Sequence, residues 1–377
     1  MAGEFVPGLA GVVAAKSAIG LIDGLNGVLQ YRGIRIEHLA EKSTFEETSY
    51  LLLFGNLPNE KELAAYTAEL AEYRALPKGV IDILATLPGT THPMVALQAG
   101  AAALGAFYPQ MDVTDREGNR TAALRLIAAF PSIVAAFDRV RKGLDVVAPD
   151  ASLGHAENFL YMLTGERPDE TVRRLIDVCL VLHAEHGFNA STFTGRVVGS
   201  TLANPYSAMA GAVGSLSGPL HGGANERVLH MLRQIDNVDD VAGFLENMIA
   251  TKTKIMGLGH RVYKVKDPRA TVLQTMAADL FSSHGSTPLY DIAHRLEDEA
   301  ARRLGSKGIY PNVDFYSGLV YEKLGISVDQ FTPLFAIARV AGWTAHWLEQ
   351  LEDNRIFRPT QMYVGSSDSA YVDMTQR

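Results

Sequence analysis

Apolar residues along this chain recur mostly at helical spacing. Leu63, Tyr66, Leu70 and Tyr73 fall three and four residues apart, which places side chains on one face of an α-helix. Asn59, with Glu62 three residues on, reads as a capping box at its start. Ser43 and Glu46 stand in the same relation and predict a second helix running to about Gly55. After Asp267-Pro268, the residues Leu273, Met276, Leu280 and Phe281 form one apolar stripe. Leu289, Ile292, Leu296, Ala300 and Leu304 form another, which stops at Gly305. Segments 93–107 and 172–186 are apolar nearly all round and predict buried helices. Strand signals are few: Val28-Leu-Gln-Tyr31 beside Arg32-Gly33 predicts a small hairpin near the N-terminus. There is no internal repeat and no low-complexity linker. An all-α, mostly helical protein with a minor β-hairpin follows.

Composition narrows the class. A length of 377 residues suits two or three domains of roughly 150 residues each. Hydrophobic residues at 47% against 20% charged supply a large core and exclude disorder. A formal charge of −8 gives no basic footprint for nucleic acid or an anionic membrane. No uninterrupted apolar run reaches the roughly 18 residues that span a bilayer. The start, Met1-Ala-Gly-Glu-Phe-Val6, has neither a basic region nor a long apolar stretch, so no secretory leader and a cytoplasmic location are expected. The single cysteine, Cys179, lies in an apolar run and reads as a small buried hydrophobe.

The chemistry concentrates in three separated segments. They are Gly218-Pro-Leu-His-Gly-Gly-Ala-Asn-Glu226, Lys254-Ile-Met-Gly-Leu-Gly-His-Arg-Val-Tyr-Lys-Val-Lys-Asp-Pro-Arg269 and Pro311-Asn-Val-Asp314. Glycines after His221 let backbone approach a ligand closely; the alternative is a turn histidine before a helix near Ala224. Gly257-Leu-Gly259 precedes His260, with Arg261, Lys264 and Lys266 following. Exposed N–H groups and cations there suit a phosphate-bearing ligand. No predicted strand or third glycine frames it as a Rossmann fingerprint, and a solvated basic turn is the other reading. Asp267 and Pro268 are explained as a helix N-cap and first-turn residue. Arg269 is not, because a cation at the positive end of a helix is unfavourable; an anionic ligand would relieve it. Asp314, flanked by Val313 and Phe315, is either a turn carboxylate or a partly desolvated base.

His183 and His186 stand three apart and predict one helix face ending at Gly187. The His-Glu-x-x-His pattern and cysteine clusters are absent, so no metal site is expected. Arg339 interrupts the apolar run Leu334-Phe-Ala-Ile-Ala-Arg-Val-Ala-Gly342 and must be paired or bind something. Arg355 and Arg358 alone read as surface charges.

These segments, with Leu29-Gln-Tyr-Arg-Gly33 and Arg358-Pro-Thr-Gln-Met-Tyr363, resemble the citrate synthase family over nearly the whole chain. The short bacterial and archaeal branch is the most similar, and Glu352-Asp-Asn-Arg-Ile-Phe-Arg358 looks cyanobacterial. The resemblance implies a large helical domain, 1–222 with 321–377, and a small one, 223–320, that close over the substrates. It implies condensation of acetyl-CoA with oxaloacetate, no cofactor, and an obligate homodimer, alone or within a higher homo-oligomer such as a hexamer. His221 would stabilise the enol of acetyl-CoA, His260 would polarise the oxaloacetate ketone, and Asp314 would be the base. His186, Arg269, Arg339 and a neighbouring subunit's Arg358 would bind oxaloacetate. Ile255, Met256, Gly257, Leu258, Gly259, Lys264 and Asn312 would bind CoA; Leu258 departs from the aromatic residue more usual there. The chain lacks the long N-terminal extension of the NADH-regulated branch, so the resemblance implies no such regulation. Propionyl-CoA in place of acetyl-CoA, a metal-dependent hydrolase and a non-catalytic helical protein are the alternative functions.

Overall fold

Sixteen α-helices carry most of the backbone, with one three-stranded sheet near the N-terminus, among the described residues of the computed structural model. Those residues are 5–109, 112–260 and 262–377. Residues 1–4 and Arg261, which enter the leader and phosphate readings above, lie outside them.

The predicted hairpin is present and gains a strand. Gly20–Asp23 pairs antiparallel with Val28–Tyr31, which pairs with Ile34–Arg35. The Asn59 box is formed in both directions at the head of helix Glu60–Glu72. The second box is displaced. Helix Phe45–Phe54 is capped by Thr44, whose side chain accepts from the Glu47 amide at 3.2 Å. Ser43 instead bonds Thr48 Oγ1, and Glu46 reaches across the fold to cap the His155 amide at 2.7 Å. Both serine and threonine here have a glutamate three residues on, and the tertiary demand for Glu46 decides between them.

Helices Pro268–His284 and Pro288–Leu304 follow the apolar stripes, with Leu273, Leu280, Ile292 and Leu296 buried. Together with Ala224–Leu232, Val241–Ala250 and Val313–Lys323 they pack mostly on one another. Pro93–Phe107 is buried on one face only and leaves Val95 and Phe107 exposed, which corrects the expectation of burial all round. Arg116–Arg141 is long and apolar enough to cross a membrane by composition, but 89% of its apolar window is buried inside the protein, as a core helix would be. Phe331–Glu352 is the other long buried helix and packs on Arg116–Arg141.

Helix Glu170–His183 ends three residues earlier than expected. His183 and His186 therefore do not share a helix face: His183 Nδ1 meets the Cys179 carbonyl at 2.7 Å, and His186 lies beyond the helix. The cause is capping from elsewhere. The buried Tyr31 hydroxyl sits 3.0–3.3 Å from the carbonyls of Val181, Leu182 and Glu185, and Arg339 Nε donates to the His183 carbonyl at 2.6 Å. These groups satisfy carbonyls that a helix end leaves without partners. Tyr31→Phe is expected to cost about 1–3 kcal/mol, because the one hydroxyl proton is lost and the buried Leu182 and Glu185 carbonyls are left without that donor. A thermal melt checks it, and an unchanged midpoint would contradict the capping role.

Candidate functional site

A cleft of about 1100 Å³ brings together His186, His221, His260, Arg269, Asp314 and Arg339. Met256, Gly257, Leu258, Gly259 and Asn312 line it as well. Each arrives on a short piece of backbone held by identifiable bonds.

His221 sits in the turn between helices Pro205–Ser217 and Ala224–Leu232. Its Nε2 is 2.8 Å from Ser191 Oγ and accepts the Ser191 amide at 3.2 Å. A backbone N–H cannot accept, so Nε2 carries no proton and Nδ1–H is the donor of the neutral ring. Trp343 Nε1 holds Ser191 Oγ from behind at 3.1 Å. His260 is fixed in the opposite sense: the amides of Val262 and Tyr263 donate to its Nδ1 at 3.1 and 3.2 Å, leaving Nε2–H. Burial pushes both histidines down to about 4, helped by Arg339 at His221 and by Arg269 at His260. Both are neutral N–H donors at neutral pH.

The loop before His260 is pinned to the segment that carries Asp314. The Gly259 amide donates to the Tyr310 carbonyl at 2.8 Å, the Asn312 amide to the Gly257 carbonyl at 2.9 Å, and Asn312 Nδ2 to the Gly259 carbonyl at 2.9 Å. Gly257 has φ +77°, and a Cβ there would lie 2.7 Å from Val228 and 2.9 Å from Phe315. Only glycine fits both the left-handed backbone and the close approach. Asn312 then caps helix Val313–Lys323, so Asp314 stands in a helical first turn and not in a loop. Burial pushes the Asp314 carboxyl up to about 6, against the nearby guanidiniums of Arg269 and Arg339.

His186 Nε2 is 3.2 Å from the Tyr263 hydroxyl, and its ring lies 5.3 Å from that of His260. Arg269 is buried and paired with its own N-cap: Nε to Asp267 Oδ1 at 3.0 Å and Nη2 to Oδ2 at 2.7 Å. Asp267 thus supplies the charge relief that the sequence reading assigned to a ligand. Arg339, also buried, has no ion-pair carboxylate among the described residues and lies over the Phe335 ring at 4.5 Å. Burial lowers its pKa to about 10. A buried cation without a direct ion-pair partner in the wall of a cleft suits an anionic ligand.

Ile255, Lys264 and Arg358 are not in the cleft wall. Ile255 packs beside the core, Lys264 is exposed with its amide on the Gly24 carbonyl, and Lys266 is paired with Glu297 at 2.7 Å. Arg358 is exposed on the chain after the last long helix. Conversely, Ser191, Tyr263, Arg227 and residues 8–12 belong at or beside the site without having been singled out. Tyr263 lay inside a quoted motif. Residues 8–12, Gly8-Leu-Ala-Gly-Val12, are themselves part of the family resemblance, and Ser191 and Arg227 carry no local signal.

Known proteins match this chain over nearly its whole length. The family described as citrate synthase, C-terminal domain, matches residues 8–360. A citrate synthase of Synechocystis sp. is 54% identical over 99% of this chain and 94% of its own length. The citrate synthase of Pyrobaculum aerophilum superposes with a TM-score of 0.93 at 41% identity, over 99% of this chain and 95% of its own. That of Thermoplasma acidophilum, solved as a ternary complex with carboxymethyl coenzyme A and oxaloacetate, gives 0.93 at 34% identity, over 99% and 100%. The family match over residues 8–360, the 54% identity along nearly the full length and the fold shared from end to end with these enzymes place the chain in the citrate synthase family.

Proposed function

We infer that the protein condenses acetyl-CoA with oxaloacetate and water to give citrate and CoA. The observation that carries this is the pairing of two neutral, oppositely fixed histidines with the raised carboxyl of Asp314 in one cleft. Asp314 takes a methyl proton from the thioester, and His221 Nδ1–H donates to the thioester oxygen as the enol forms. A donor aimed at such developing charge contributes roughly 3–4 kcal/mol. The enol carbon attacks the ketone of oxaloacetate, whose oxygen receives a hydrogen bond from His260 Nε2–H. Water then cleaves the thioester and releases CoA. Arg269, Arg339 and His186 bind the dicarboxylate, and guanidiniums match carboxylate oxygens two at a time. Polarisation by protein N–H groups requires no metal.

Residues 223–320 form the small domain in this reading, and the cleft lies where they meet the rest. Closure would exclude water. The active unit is a homodimer, in which the exposed side of Pro93–Phe107 meets a second copy and Arg358 reaches the partner's cleft. The CoA contacts are the backbone from 255 to 259 with Asn312, and Lys264 serves the phosphates once closed.

Acetyl-CoA is expected to be preferred over propionyl-CoA. One methylene is worth about 1–3 kcal/mol in a pocket, or roughly 10–200-fold. Initial rates of CoA release with each thioester and oxaloacetate give the ratio of kcat/KM. A ratio favouring propionyl-CoA would replace citrate by methylcitrate as the product.

A further inference from the structure

Behind His186 lies a carboxylate that the condensation does not use. Glu185 is fully buried, and its Oε1 meets His346 Nε2 at 3.0 Å. The same oxygen accepts the Gly187 amide, and Oε2 has no hydrogen-bond partner among the described residues. The backbone of Glu185 is held at both ends by one hydroxyl. Its amide donates to Tyr31 Oη at 3.2 Å, and its carbonyl lies 3.0 Å from the same atom. His186 is therefore flanked by two residues that are both clamped.

The imidazole that faces Glu185 is itself oriented. Arg196 Nη1 donates to His346 Nδ1 at 3.2 Å, so Nδ1 accepts and the proton of the neutral ring stands on Nε2, toward Glu185. Arg196 is fixed in turn by Gln350 Oε1 at 2.9 Å and Glu349 Oε2 at 2.8 Å. Space for the carboxylate comes from Gly342, where a Cβ would fall 2.5 Å from Glu185 Oε2. Gly342 is three residues past Arg339 on the same helix, so Glu185 is also a carboxylate neighbour of that guanidinium, and it favours the guanidinium's charged form.

We propose that Glu185, oriented by Arg196 through His346, is a positioning residue for the dicarboxylate substrate: it fixes the turn that presents His186 and offsets the charge of Arg339. The proposal rests on the reading of oxaloacetate as the substrate at that end of the cleft. It predicts an effect confined to one substrate, since neither group that Glu185 serves is assigned to the thioester.

The test compares Glu185→Gln, His346→Phe and His346→Gln with the parent enzyme. Glu185→Gln and His346→Phe are each expected to raise the KM for oxaloacetate tenfold or more, about the effect of losing a hydrogen bond to a charged group, with the KM for acetyl-CoA within about twofold. His346→Gln keeps an N–H donor and an acceptor, and is expected to return the oxaloacetate KM to within a few-fold of the parent. Equal rises in both KM values, no rise for oxaloacetate, or no difference between the two His346 variants would overturn the proposal. Should Glu185→Gln fail to fold, the His346 pair decides alone. Calorimetric titration with oxaloacetate separates this proposal from the functional reading. A parent enzyme that binds oxaloacetate without condensing it removes the proposed reaction, and the Kd values of the variants then carry the test. A parent enzyme that does not bind oxaloacetate removes both.

Discussion

Asp314→Asn is expected to lose about 10²–10⁴-fold in kcat, the usual worth of a general base, while remaining folded. The amide keeps the shape of the carboxyl and cannot take the methyl proton. Stability should move the other way. Burial raises the folded pKa of Asp314 to about 6, above the ordinary value of 3.8. A raised carboxyl contributes its stability below the unfolded pKa and loses it as pH rises through the folded one. At pH 7 the parent therefore carries a desolvated charge that the asparagine variant lacks. Thermal melts at pH 7 should show a midpoint for the variant equal to or above the parent's, with that advantage shrinking toward pH 4. In the parent, kcat/KM should fall as pH drops below about 6, where the base becomes protonated. Near-normal turnover in Asp314→Asn would remove Asp314 from the role of base.

Subunits carrying Asp314→Asn, mixed with subunits carrying Arg358→Ala, are expected to regain activity that neither homodimer has. Arg358 is exposed and lies outside its own chain's cleft, on a stretch without helix or strand that follows Phe331–Glu352. If it completes the partner's site, a mixed dimer has one cleft with both lesions and one with neither. Random mixing makes half the dimers mixed, so about a quarter of parental turnover should return. A mixture with demonstrated heterodimers and only background activity would show that Arg358 does not act across the interface.

Local features were legible from the sequence because local physics sets them. The stripes at Leu273 and Ile292 and the Asn59 box depend on neighbours within one or two turns, and the structure has them where the pattern placed them. His221, His260 and Asp314 were visible because glycine, proline and asparagine around them announce special backbone, and the cleft holds all three. What failed was decided at long range. Thr44 caps helix Phe45–Phe54 because Glu46 is engaged with His155, more than a hundred residues away. His186 leaves the helix because Tyr31 and Arg339 donate to its last carbonyls. Ser191 and Trp343 matter through a chain of contacts to His221, and no spacing rule connects positions 191, 221 and 343.

Helix Phe331–Glu352 serves the cleft from a single side. Arg339 and Phe335 enter the cleft wall, Thr332 bonds Glu226, Trp343 reaches Ser191, and His346 and Gln350 meet Glu185 and Arg196. These positions are three and four apart, so they share an angular sector. The helix works as a camshaft whose phase is the constrained quantity. One residue inserted after Gly342 would turn everything beyond it by about 100° and advance it by about 1.5 Å. Arg339 would keep its place while Trp343 and His346 swung off their partners. Length can therefore vary only beyond the last of these contacts, past Gln350, where the helix gives way to the exposed C-terminal stretch.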